Sequence, residues 1–214
     1  MKKYIAIFLS LALFSFQSAK AEFGIGITGA AHFFDASGTE TTRTSGQKNN
    51  GTHSADAVVP ELFLEAITDG GMTVGLSYIP IRELGSKSRT DSNSGGDSGT
   101  YKAEAELDNV IQLYMDIPLN FDVVSYPVYA KLGIQHATIS TLESLNSGST
   151  YPDEDVMGLT IGLGTKGDLA NNLYYKAEVA YTDFEDYSAD SSAGNKVEAE
   201  LEDTSVKFSI GYKF

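Results

Sequence analysis

The chain has 214 residues, with 29 acidic against 15 basic side chains and no cysteine. That size allows one domain or two small ones, and the missing cysteine excludes disulfides, thiolate metal sites, Cys nucleophiles and a cysteine-linked lipid anchor. A formal charge of −14 argues against a nucleic-acid partner, because phosphate binding needs a basic patch to release counterions.

Met1-Lys2-Lys3 leads an uncharged apolar run from Tyr4 to Phe16, followed by Ser18-Ala19-Lys20-Ala21 and then Glu22. A positive start, a short apolar run and an A-x-A site formed by Ala19 and Ala21 make a secretory signal peptide over residues 1–21. The apolar run is too short for a spanning helix, which needs ~20 residues. Cleavage before Glu22 leaves 12 basic against 29 acidic side chains, a net of −17. The exported domain is expected over 22–214, and no later stretch reads as a membrane helix.

From there the chain alternates with period 2, the mark of strands whose faces meet different surroundings. Eight segments qualify: Phe23–Phe33, Val58–Thr68, Met72–Leu84, Lys102–Ile117, Pro127–Ser140, Met157–Leu163, Leu173–Thr182 and Ser205–Phe214. The fourth is the clearest. Ala103, Ala105, Leu107, Ile111, Leu113, Met115 and Ile117 share one face, with Asn109 an exception, opposite Lys102, Glu104, Glu106, Asp108, Gln112 and Asp116.

The connections alternate in length. Long polar ones span Asp35–Ala57, Gly85–Tyr101, Thr141–Asp155 and Asp186–Asn195; short ones lie at Asp69–Gly71, Pro118–Asp122 and Gly167–Asn172. A soluble sandwich has no reason to keep its long loops at one end. A transmembrane barrel does, with short periplasmic turns and long outer loops. Only helices or closed barrels satisfy the backbone inside a bilayer, so the expected fold is all-β: an eight-stranded antiparallel up-and-down transmembrane barrel. Aromatics near strand ends (Phe23, Phe33, Tyr78, Tyr126, Tyr181, Tyr212, Phe214) suit interfacial girdles, and the Gly/Thr face opposite Met157–Leu163 suits a narrow lumen.

Over Phe23–Phe214 the chain resembles the small eight-stranded outer-membrane barrels of the OmpA/OmpX and opacity-protein type. Tyr129-Ala-Lys131-Leu-Gly133 and Tyr174-Tyr-Lys176-Ala-Glu178 look like strand motifs of that family. The resemblance implies that the last strand, with Phe208, Ile210, Tyr212 and the terminal Phe214, is the signal read by the barrel-assembly machinery. It also implies residence in a Gram-negative outer membrane among lipid and lipopolysaccharide, as a monomer. No peptidoglycan-binding domain follows the barrel in this sequence.

Eight strands close to a diameter that side chains just fill. The inner faces are expected to bring Glu61, Glu65, Glu104, Glu106 and Glu178 toward Lys102, Lys131, Lys176 and Lys207. Buried charges must pair, so an ion-pair network plugging the lumen is expected, with a gated ion path as the alternative. Lys102–Leu107 and Lys196–Leu201 nearly repeat each other and place Lys-x-Glu-x-Glu at the outer ends of two strands. That pattern suits strands projecting beyond the bilayer, or an acidic rim holding divalent cations against lipopolysaccharide. Asp91–Asp97 looks like a calcium loop, but Lys102 stands where a bidentate Glu is needed.

No catalytic residue, cofactor or resident metal is expected. His136 precedes Thr138 and Ser140 in a setting that invites comparison with lipid A hydrolases, but the His-x-Ser order is missing, and His32 and His53 lack metal-spaced partners. The expected role is non-enzymatic, in envelope integrity or surface interaction through four outer loops. A narrow channel and a lipid A-modifying hydrolase are the alternatives.

Overall fold

The computed structural model describes residues 21–91, 99–119, 127–144 and 150–214. Ala19 and most of the leader, the stretch 92–98 and Tyr126 lie outside them. The elements are β1 (Ala21–Thr41), β2 (Lys48–Thr68), β3 (Thr73–Ile79), β4 (Arg82–Asp91), β5 (Gly99–Leu119), β6 (Val128–Ser144), β7 (Glu154–Asp168), β8 (Leu173–Phe184), β9 (Tyr187–Asp190) and β10 (Lys196–Lys213).

Every strand pair is antiparallel, and β1 pairs with β10 from Gly24↔Lys213 to Thr41↔Lys196, which closes the sheet. The ring runs β1-β2-β3-β5-β6-β7-β8-β10 and back to β1. β4 continues β3 along β5 after a break at Pro80-Ile81, and β9 continues β8 along β10. Eight positions therefore build the wall. Below the collar, closure leaves no strand edge exposed, the condition for crossing a bilayer with sheet.

Alternation puts the greasy residues outside. Phe23, Ile25, Ile27 and Phe33 of β1, Leu62 and Leu64 of β2, Ile161 and Leu163 of β7, and Val206, Phe208 and Ile210 of β10 are all exposed. Water would drive such a surface to aggregate; acyl chains match it. From Phe23 to Phe33 a strand rising 3.3 Å per residue and tilted ~40° covers roughly 25 Å, the height of an outer-membrane apolar band. Exposed Asp35, Asp56, Glu83, Asp155, Asp183 and Glu202 lie above it, on the side away from the chain ends.

The long loops are shorter than the sequence suggests. β1 and β2 stay paired up to Thr41↔Lys48, so only 42–47 connects them where Asp35–Ala57 is expected as loop. β4 and β5 likewise pair through Asp91↔Gly99. A ladder is made of backbone groups, so polar Thr, Ser and Asn stretches continue it once the wall exists. The walls rise out of the membrane as a collar. On the other side the turns are tight: Gly71 (φ 80°) and Asn171 and Asn172 (φ 61° and 64°) take left-handed conformations there.

One irregularity changes which residues face the lumen. In β5 the register against β6 passes from Asp108↔Thr138 to Ile111↔His136, so Asn109 and Val110 together oppose Ala137. Asn109 sits at φ 52°. This β-bulge swaps the inward parity: Ala103, Ala105 and Leu107 point in above it, and Val110, Gln112, Tyr114 and Asp116 point in below it.

Candidate functional site

The lumen has three layers. The lowest is centred on Glu65, which accepts hydrogen bonds from Tyr114 (2.6 Å) and Tyr174 (2.8 Å) and from Lys176 (3.0 Å). Lys176 also reaches Asp116 at 2.7 Å, and Lys131 lies 2.8 Å from Glu178 and 3.6 Å from Asp116. The Tyr129 hydroxyl donates to Glu178. The tyrosine rings reach across because glycines face them: a Cβ at Gly75 would lie 2.4 Å from the Tyr114 ring, and one at Gly164 equally close to Tyr129. Glycine is needed at both for that approach.

Above it Lys207 binds both oxygens of Glu61, at 2.9 and 3.1 Å. His32 is fully buried, with Nδ1 2.7 Å from Asp203 and Nε2 3.0 Å from Glu61. Arg82 lies against the same ring at 3.1 Å and over Phe34. Gln112, Gln135, Thr160 and Thr182 fill the gap between the charges with mutual hydrogen bonds. The polar half leaves a void of about 20 Å³ among Thr28, Glu61, Lys131, Lys176 and Lys207, room for about one water molecule. Five carboxylates (Glu61, Glu65, Asp116, Glu178, Asp203) thus meet four permanent cations and a histidine. The three lysines each hold a carboxylate, while among the described residues Arg82 hydrogen-bonds only the His32 ring and leaves Nε and Nη2 without a partner.

The top layer is apolar. Phe34, Ile79, Leu107, Val110, Ile139, Phe184 and Leu201 pack into one buried cluster that caps the polar column. Over this floor the collar opens into a funnel of about 740 Å³, lined by Ala36, Gly38, Ala103, Ala105, Val197, Ala199 and the rings of Tyr151 and Tyr187. Both hydroxyls are tied back, Tyr151 to Glu40 and Tyr187 to the Pro152 carbonyl. The wall therefore presents mainly carbon, with His53, Lys87, Glu104 and Glu200 also bordering it.

Of the nine residues expected in the lumen network, Glu61, Glu65, Lys131, Lys176, Glu178 and Lys207 meet there. Lys102, Glu104 and Glu106 do not, because the Asn109 bulge turns them to the outer face of the collar. Glu104 lies opposite Leu142, which is 58% exposed, and Glu106 opposite Glu83. Lys102 pairs with Glu104, and Lys196 pairs with Glu198 at 2.6 Å in the sister motif. Each hydrogen bond raises its lysine's pKa, and Lys196 holds Glu198 below the usual carboxylate range. Among the described residues no group of three or more acids and histidines could hold a metal.

His32, Arg82, Asp116 and Asp203 belong to the lumen although composition and spacing did not mark them. His136 faces outward, half exposed, 3.9 Å from Asp155, while Thr138 donates to that same carboxylate. The hydroxyl thus points at the acid rather than the imidazole, the wrong order for a nucleophile activated by a base. Phe208, Ile210, Tyr212 and Phe214 line the outer face of the closing strand, where Phe214 stacks on Phe23. Ala21 and Glu22 open β1.

A closed antiparallel ring, greasy outside and charged inside, defines an integral outer-membrane barrel. The chain belongs to the outer membrane protein beta-barrel domain family, whose profile matches residues 6–214, and it resides in the bacterial outer membrane. The solved outer membrane protein OprG from Pseudomonas aeruginosa shares the fold at TM-score 0.59 and 20% identity, covering 92% of this chain and 98% of OprG. Outer membrane protein AlkL, solved in lipid bilayers, aligns at TM-score 0.54 and 10% identity over 92% of this chain and 91% of its own. No curated protein matches by sequence.

Proposed function

We propose that this protein is a non-enzymatic, monomeric barrel that works at its extracellular end, where the funnel takes up small apolar molecules from the cell exterior. The observation that carries this reading is the pairing of a sealed floor with an apolar cavity. A cavity of this size lined by carbon and rimmed by polar groups is the common form of a small-molecule site. The paired charges beneath it support a plug rather than a pore. The outward His136 supports a role without catalysis. The same reading makes β10 the segment met by the barrel-assembly machinery, and lipopolysaccharide the neighbour of the outer belt.

Two measurements on protein folded into lipid bilayers test it. Single-channel recording is expected to show no stable large conductance. Titration with the apolar dye N-phenyl-1-naphthylamine is expected to give saturable binding, lost when Ala199→Trp fills the cavity. An open-pore conductance, or dye binding indifferent to that substitution, would remove the reading.

A further inference from the structure

We infer that the ligand is an amphiphile with an apolar tail and one carboxylate head, and that His53 and Lys87 receive the head. This rests on the proposed uptake of apolar molecules by the funnel.

The head site lies where the collar wall is incomplete. β2 pairs with β3 only up to Leu62↔Tyr78, and β4 pairs with β5 but forms no ladder with β2 among the described residues. The cavity reaches this seam, lined by Thr52 and His53 from one edge and by Gly85, Ser86 and Lys87 from the other. The His53 ring is seated on Gly85: a Cβ at that glycine would stand 2.4 Å from Nε2. Lys87 follows two residues later on the same face, opposite Ala103 as Gly85 is opposite Ala105. An imidazole and an ammonium thus share one edge of a mostly apolar funnel, whose lining also includes Ser37, Thr141, Glu104 and Glu200.

Neither group has a hydrogen-bond or ion-pair partner among the described residues. The chain has 29 acids for 15 basic residues, and Lys102, Lys131, Lys176, Lys196, Lys207 and Lys213 hold carboxylates, whereas Lys87 lines the cavity without one. The nearby acids already hold partners, including Glu104 and Glu200, which themselves border the cavity. Glu104 is paired with Lys102, Glu200 accepts from Ser37, and Glu40 takes the Tyr151 hydroxyl and the Asn195 amide. Two donors without an internal acceptor, beside apolar surface, complement a carboxylate whose tail lies on that surface.

The test compares octanoate with octan-1-ol on the full chain in lipid nanodiscs, with empty nanodiscs as reference, for wild type, Lys87→Met and the double variant His53→Gln/Lys87→Met. The double variant is expected to bind octanoate about fivefold more weakly, the scale of an exposed ion pair, with octanol affinity unchanged. Unchanged octanol binding also shows that the cavity survives, and the surface-exposed Lys87→Met alone is expected to give part of the loss. If octanol binds while octanoate binding ignores both substitutions, the head site is wrong and the apolar funnel stands. If neither ligand binds wild type, both ideas fall together.

Discussion

Replacing Lys176 by methionine is expected to destabilise the folded barrel by about 3–5 kcal/mol, the usual cost of stripping one partner from a buried ion pair. The ammonium stands 3.0 Å from Glu65 and 2.7 Å from Asp116, and all three side chains are almost fully buried. Methionine keeps most of the stem's packing, so the loss isolates the charge. Two carboxylates then face each other in a site with scarcely a water's room. Adding Glu65→Gln and Asp116→Asn is expected to restore part of the loss, because the neutral amides no longer repel. The measurement is the urea midpoint of the lipid-embedded protein, followed by heat-modifiable gel mobility. Lys196→Met, which breaks the exposed pair with Glu198, is expected to leave the midpoint where it was. A Lys176→Met midpoint equal to wild type would mean that the lumen is hydrated rather than plugged.

Much of this architecture is legible in the alternation because the bilayer reverses the usual inside and outside. Leu62 and Leu64 point to lipid while Glu61, Phe63 and Glu65 point in, and one parity rule reads both. The rule fails where parity breaks. Asn109 looks like a polar exception on an apolar face, yet its positive φ marks a bulge, and everything N-terminal to it in β5 changes sides. Pro80-Ile81 does the same for Arg82, whose side chain is buried although it stands at the outward parity of the expected Met72–Leu84 strand. Asp203 was hidden for another reason: in the upper part of β10 the inward face is the apolar one, Val197, Ala199 and Leu201 against outward Glu198, Glu200 and Glu202, so nothing marks the next inward position as the site of a buried acid. His32 lies on the regular inner face of β1, but its partners Glu61 and Asp203 sit 29 and 171 residues away. The funnel is equally non-local, assembled from alanines and glycines that individually signal nothing.

Deleting Asn109 is expected to leave a folded barrel, whereas deleting Leu113 from the same strand is expected to abolish it. At the bulge two residues occupy the length of one, opposite Ala137. Removing the extra one joins Asp108 to Val110 with correct parity on both sides: Leu107 in, Asp108 out, Val110 in, Ile111 out. The slack on the other flank falls at Pro80-Ile81, where β3 has ended and β4 has not begun. Deleting Leu113 scrambles the wall even if the bulge straightens to absorb the loss: Gln112 then turns to lipid and Asn109 enters the apolar cap, and if the bulge persists Glu104, Glu106 and Asp108 are driven inward as well. Point substitutions bracket the same claim. Asn109→Gly is expected to cost nothing measurable, since glycine accepts φ 52° freely, while Asn109→Val is expected to cost about 1–2 kcal/mol for a β-branched side chain held in the left-handed region. Yields of heat-modifiable protein after refolding into vesicles rank all four. If the Asn109 deletion failed like the Leu113 deletion, the bulge would be a structural requirement of the barrel's curvature rather than a register correction carried by one residue.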